Sequence, residues 1–134
     1  DENKIEISNN FDFSKVPNNS IDIAFAQAVT SHLNLNSLIV LLKKLRVKMR
    51  DNSIFYTSFI ISEKNENELS QINWKKINKF NGKPHNVTSY FQRDPYHYDI
   101  ETLKDVFKIC NWEFLKIEDY DHDIQFMVSL KKKN

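Results

Sequence analysis

Residues 21 to 61 constrain the fold more than any other part of the chain. IDIAFA (21–26) is apolar apart from Asp22. Leu38, Leu41, Leu42, Leu45 and Met49 then recur at helical spacing, and IFYTSFII (54–61) is β-branched and aromatic nearly throughout. Strand, helix and strand joined by short connections form a right-handed parallel crossover in nearly all proteins. Strand 21–26, apolar on both faces, reads as an interior strand of a parallel sheet. The pattern predicts Asn36 as the helix N-cap, with Leu35 and Val40 as a hydrophobic staple. Lys43, Lys44, Arg46, Lys48 and Arg50 form the solvated face. Asp51-Asn52 supplies a left-handed stop, because asparagine tolerates positive φ.

The flanking segments complete an α/β chain. KIEIS (4–8) is a short alternating piece, followed by a loop holding FDF and VPNNS. Residues 62–98 form a long insert, polar at first and then aromatic, with a turn at NGKP (81–84). Asp99 caps a second helix that carries Ile100, Leu103, Val106, Phe107 and Cys110 on one face, and Asn111 stands where a left-handed residue ends it. EFLKIEDY (113–120) and IQFMVSL (124–130) lie so close that only an antiparallel hairpin joins them. The KKKN tail reads as a solvated end.

At 134 residues the chain, 1–134, has room for one domain and no more. A formal net charge of +1 favours neither nucleic acid nor a membrane surface. The basic residues of 43–50 alternate with core leucines, as a solvated helix face does. The apolar run LIVLL (38–42) is far short of a membrane span, and DENKIEIS is too polar for a signal peptide. One cysteine, Cys110, excludes an internal disulfide and fits a reducing, cytoplasmic setting. Four histidines and that cysteine show no zinc-ligand spacing, so no metal is expected. The single glycine, Gly82, rules out a glycine-rich phosphate or dinucleotide loop within these residues.

The strand at 21–26 runs directly into Gln27, Thr30, Ser31 and His32, all able to hydrogen-bond. In open α/β sheets, ligands bind beyond the carboxyl ends of the strands, so a polar cluster here marks a candidate site. From SIDIAFAQAVTSHL through to the final hairpin, roughly residues 11–131, the order of elements resembles the C-terminal half of class I S-adenosylmethionine-dependent methyltransferases. Ile21-Asp22-Ile23 matches that family's fourth strand, and Ala28 to Leu33 matches the turn after it. The resemblance implies a partial Rossmann-like sheet, parallel strands plus a C-terminal antiparallel hairpin, with helices on its faces. Its glycine-rich cofactor loop has no counterpart here. Asp51-Asn52-Ser53 and Asn111 stand where the family usually has glycines.

The resemblance implies S-adenosylmethionine as cofactor and a small-molecule acceptor. It places Asp12 and Phe13 near adenine, and Ala26 and Gln27 at the methionine end. His32 becomes a candidate base, with Ser31, Tyr90, Tyr96 and His97 around the substrate. For each of these a plainer reading stands beside it. His32 could order its turn, Asp12 and Phe13 could be an exposed loop, and the aromatic residues could pack a lid onto the sheet. A non-catalytic binding or scaffold module is the alternative function. Either way, the edge of strand 21–26 invites a homodimer or a partner chain.

Overall fold

The computed structural model describes residues 11–63, 71–77 and 81–134. The KIEIS segment and Phe80 lie outside them. In order, the elements are β1 (Ile21–Ala26), a short 3-10 turn (Thr30–His32), α1 (Leu35–Lys48), β2 (Met49–Ser62), β3 (Gln71–Ile77), β4 (Pro84–Tyr90), β5 (His97–Asp99), α2 (Ile100–Ile109), β6 (Trp112–Ile117) and β7 (Phe126–Lys132). The main sheet runs β1-β2-β7-β6, with β5 paired to the far end of β2. β1 and β5 are parallel to β2, whereas β7 is antiparallel to both β2 and β6. The crossover and the terminal hairpin are those the sequence predicts. The insert holds its own two-stranded sheet, β3 with β4, in antiparallel register from Gln71↔Tyr90 to Ile77↔Pro84. Gly82, at φ +68°, sits in the turn between these strands, where its missing Cβ costs nothing.

One core unites the sheet and both helices. Leu38, Leu42 and Leu45 of α1 meet Leu103, Val106 and Phe107 of α2 over Phe55, Phe59, Val128 and Leu130. Because the two helices share this core and touch each other, they lie on the same face of the sheet. Phe55 packs at 5.9 Å on Trp112, and Phe59 at 5.9 Å on Phe107. Cys110 is buried in this core as well, and burial pushes its thiol pKa up.

The opposite face of β1 differs from expectation. Ala24 and Ala26 pack toward the core, but Ile23 and Phe25 are 66% and 62% exposed. Among the described residues β1 is an edge strand, not an interior one. Its apolar outer face records a strand patterned for cover on both sides.

The ends of α1 also depart from prediction. The N-cap is Asn34, whose side chain accepts from the Ser37 amide at 2.8 Å, so the Asn36 cap and the Leu35–Val40 staple are not formed. At the C-terminal end Met49 is already extended (φ −85°, ψ 146°), and β2 starts there without a turn. Asn52 does take a left-handed φ of 64°, but within the irregular stretch where the β1–β2 register jumps between Ile21↔Met49 and Ile23↔Ile54. Asp99 and Asn111 behave as predicted. Asp99 accepts from the Thr102 amide at 2.7 Å, and Asn111 closes α2 at φ 61°.

Lys132 is the third correction. It is buried rather than solvated, donating to the Met49 carbonyl at 2.6 Å and pairing with Asp51 at 3.3 Å. The last strand is thereby fastened to the point where α1 becomes β2. Lys132→Met keeps the apolar stem and removes only the ammonium. Urea unfolding is expected to show a loss of about 1.5–3 kcal/mol, the range for a hydrogen bond to a charged group.

Candidate active site at the carboxyl end of β1

β1 ends at Ala26, and the chain turns at Ala28 in a left-handed conformation, φ 54°, that alanine seldom adopts. The Ala28 amide donates to Ser58 Oγ at 2.8 Å, and Ser58 in turn donates to Gln125 Oε1 at 2.6 Å. Thr30 Oγ1 donates to the Ser58 carbonyl, so the 2.8 Å contact between the Thr30 and Thr57 hydroxyls is donated by Thr57. This network fixes the exit of β1 against β2 and the approach to β7. It also turns Thr30 and Ser31 inward and leaves His32 outside.

His32 does not stand alone. Its Nδ1 lies 2.5 Å from Asp94 Oδ1, and the two side chains are 54% and 55% exposed. With the carboxylate accepting from Nδ1–H, the neutral ring keeps its lone pair on Nε2. The segment carrying Asp94 is itself anchored, because the Tyr96 amide donates to the Ser31 carbonyl and the Tyr90 amide to that of Pro95, both at 2.8 Å.

Beside this pair, an open cleft of about 310 Å³ separates the first turn of α1 from residues 91–98. Asn34, Asn36, Phe91, Gln92, Tyr96 and Tyr98 line it. Tyr96 and Tyr98 stack nearly parallel, 4° apart with centroids at 6.1 Å, and the Tyr98 hydroxyl donates to the Leu33 carbonyl at 3.0 Å. Burial, with the Tyr96 phenol beside it, pushes the Tyr98 pKa upward, so this hydroxyl stays protonated.

The other expected site residues are distributed as follows. Ala26 is half-buried and Gln27 exposed at the strand end. Ser31 is buried, and its carbonyl positions Tyr96. Tyr90 bears the Arg93 guanidinium 3.9 Å above its ring and lines a neighbouring pocket with Gln71, Gln92 and Arg93. His97 is sealed from solvent. Its Nδ1 lies 2.8 Å from Ser89 Oγ, which accepts from Trp74 Nε1 at 2.7 Å, so it joins the β3–β4 hairpin to β5.

Asp12 and Phe13 are not brought to the cluster. They line a groove with Lys44, Val47 and Lys48 at the C-terminal half of α1, while the cluster adjoins its N-terminus. There Asp12 Oδ1 accepts from the Ser14 amide at 2.9 Å, which lowers its pKa. Asp94, which the sequence reading missed, lies 62 positions from His32. The aspartate before Pro95 was its only local signal. No group of three or more acidic, histidine or cysteine side chains placed to hold a metal occurs among the described residues. No helix there is long and apolar enough to cross a membrane.

No protein-family model matches the chain, and no curated protein matches it in sequence. Solved structures do match it. A SAM-dependent methyltransferase from Methanosarcina mazei superposes with a TM-score of 0.62 at 11% identity, over 96% of this chain and 66% of that one. An S-adenosylmethionine-dependent methyltransferase from Clostridium acetobutylicum gives 0.63 at 8% identity, over 99% and 66%. The 1,6-didemethyltoxoflavin-N1-methyltransferase of Burkholderia thailandensis, with 1,6-didemethyltoxoflavin and S-adenosylhomocysteine bound, gives 0.57 at 9%, over 88% and 46%. The fold is therefore the Rossmann-like one shared by these S-adenosylmethionine-dependent methyltransferases. The chain spans about two thirds of the first two proteins and less than half of the third.

Ser58→Ala leaves the Ala28 amide and the Gln125 carboxamide without their shared partner. Denaturant unfolding is expected to show a loss of about 1–3 kcal/mol, and amide exchange at Ala28 should accelerate.

Proposed function

We propose that this chain forms the acceptor side of a methyltransferase using S-adenosylmethionine, and that it acts on a small molecule. The observation that carries this reading is the His32–Asp94 pair at the carboxyl end of β1, within a fold shared with methyltransferases. The described residues suit one end of the cofactor only. Ala26 is small enough to let a ligand approach the strand end, and Gln27 offers an exposed carboxamide, so these two would hold the methionine portion. Their single glycine lies in the β3–β4 turn, and no glycine-rich loop is among them. When bound, the cofactor supplies an electrophilic methyl on a sulfonium, whose C–S electrons stay with sulfur as the bond to the acceptor forms.

The chain's own contribution is a proton acceptor and a positioned substrate. Asp94 holds the imidazole so that Nε2 is the basic nitrogen, and Nε2 takes the proton from an acceptor O–H or N–H. Because both side chains are half-exposed, the contact adds at most about 1 kcal/mol to stability. Its value lies in orientation.

Calorimetry is expected to show saturable binding of S-adenosylhomocysteine when this chain is joined to the glycine-rich half of such a domain, and little by residues 1–134 alone. His32→Ala and Asp94→Asn should preserve that binding, while His32→Ala slows transfer of a labelled methyl group by about 10²–10⁴-fold. Failure of both forms to bind S-adenosylhomocysteine would overturn the methyl-transfer reading.

The bare edge of β1 further supports association by strand addition, with a second copy or another chain. Light scattering should then report an assembly that Phe25→Lys dissociates, and a wild-type monomer at all concentrations would remove that reading.

A further inference from the structure

We infer that the cleft between α1 and residues 91–98 is a site for a planar aromatic or heteroaromatic ring, and that such a ring is the methyl acceptor. The second clause rests on the function proposed above, whereas the first stands on the cleft alone. At about 310 Å³ the cleft admits a molecule of one or two rings. Tyr96 offers its ring to the cleft with the buried Tyr98 ring stacked parallel behind it, and Phe91 adds a further ring. Flat π-surfaces favour flat π-ligands by about 0.5–1.5 kcal/mol beyond the area they bury.

The wall is also set before a ligand arrives. Tyr98 is tied by its hydroxyl to the Leu33 carbonyl, and Tyr96 by its amide to that of Ser31. Preorganised groups lose little freedom on binding. None of the described residues lining the cleft carries a charge. The carboxamides of Asn34, Asn36 and Gln92 supply the polar positions, and the Asn34 oxygen is already engaged as helix cap. Neutral amides beside aromatic rings suit the ring nitrogens, carbonyls and hydroxyls of a heterocycle better than a phosphate or a carboxylate.

The cleft also adjoins the proton acceptor. His32 stands two residues before Asn34, and Asp94 two before Tyr96, so each member of the pair is joined along the chain to one wall of the cleft. A hydroxyl or ring N–H at the edge of the bound ring would meet it there.

The test is a titration of the protein with 2-naphthol and with its saturated counterpart decahydro-2-naphthol, both uncharged at neutral pH, followed by amide NMR. The aromatic probe is expected to shift the amides of residues 34–36 and 91–98, and to bind about tenfold tighter than the saturated one. Tyr96→Leu keeps apolar bulk and should remove that preference. Asn36→Ala, on the exposed first turn of α1, should weaken the aromatic probe severalfold and serves if Tyr96→Leu disturbs the fold. Equal affinity for the two probes, or shifts confined to other regions, would overturn the ring site. Aromatic binding with no S-adenosylhomocysteine binding, even when the glycine-rich half of the domain is joined to this chain, would keep the site and defeat the acceptor role. S-adenosylhomocysteine binding without an aromatic preference would do the reverse.

Discussion

Everything at the carboxyl end of the sheet depends on the Ser58 hydroxyl. It accepts from the Ala28 amide and donates to Gln125, so one oxygen joins the turn after β1, the middle of β2 and the entry to β7. That acceptor, with the Thr30 bonds to the Ser58 carbonyl and to Thr57, holds Ala28 in its left-handed conformation. The turn at Ala28 sends Thr30 and Ser31 inward and His32 outward. The Ser31 carbonyl then receives the Tyr96 amide, which brings Asp94 opposite His32. A buried serine in a central strand thus sets the geometry of an exposed pair it does not touch.

The architecture is one-sided, and the site follows from that. Both described helices pack on a single face, over Phe55, Phe59, Val128 and Leu130. On the other face β1 shows Ile23 and Phe25 to solvent. Alternation along β1 separates the two surfaces cleanly, with Ala24 and Ala26 toward the core and the larger residues away from it. The polar cluster lies where these surfaces meet, at the strand end. Groups bound from either side of the sheet can reach it there.

What was legible in the sequence was local and periodic. The Leu38–Leu45 repeat, the β-branched run in β2, the Asp99 cap and the Asn111 stop each declare themselves within a few residues, and the structure forms them all. Choices between equivalent neighbours were harder. Asn34 and Asn36 are both good caps, and the structure uses the first, which directly follows the residue that closes the 3-10 turn. Contacts between distant segments left no trace. The His32–Asp94 pair, the Lys132 ties to Met49 and Asp51, and the Trp74–Ser89–His97 chain join residues that no period relates. Asp12 and Phe13 were placed by resemblance, and the fold of this chain seats them at the far half of α1.

The pairing of β2 has a consequence for how the molecule assembles. On one side β2 meets β1, a partner about thirty residues earlier in the chain, as at Phe25↔Tyr56. On the other it meets β7, with Ile54 opposite Lys131. Emerging from a ribosome, the β1-α1-β2 unit can pair early, but the second edge of β2 stays open until β7, about seventy residues later, has been made. Such long-range closure is slow compared with local pairing. Throughout that interval the buried half of the core, Phe55 and Phe59 included, has no Val128 or Leu130 to cover it. The nascent chain therefore carries this part of its core open to chaperones and to misassociation until β7 emerges, and β7 ends that exposure.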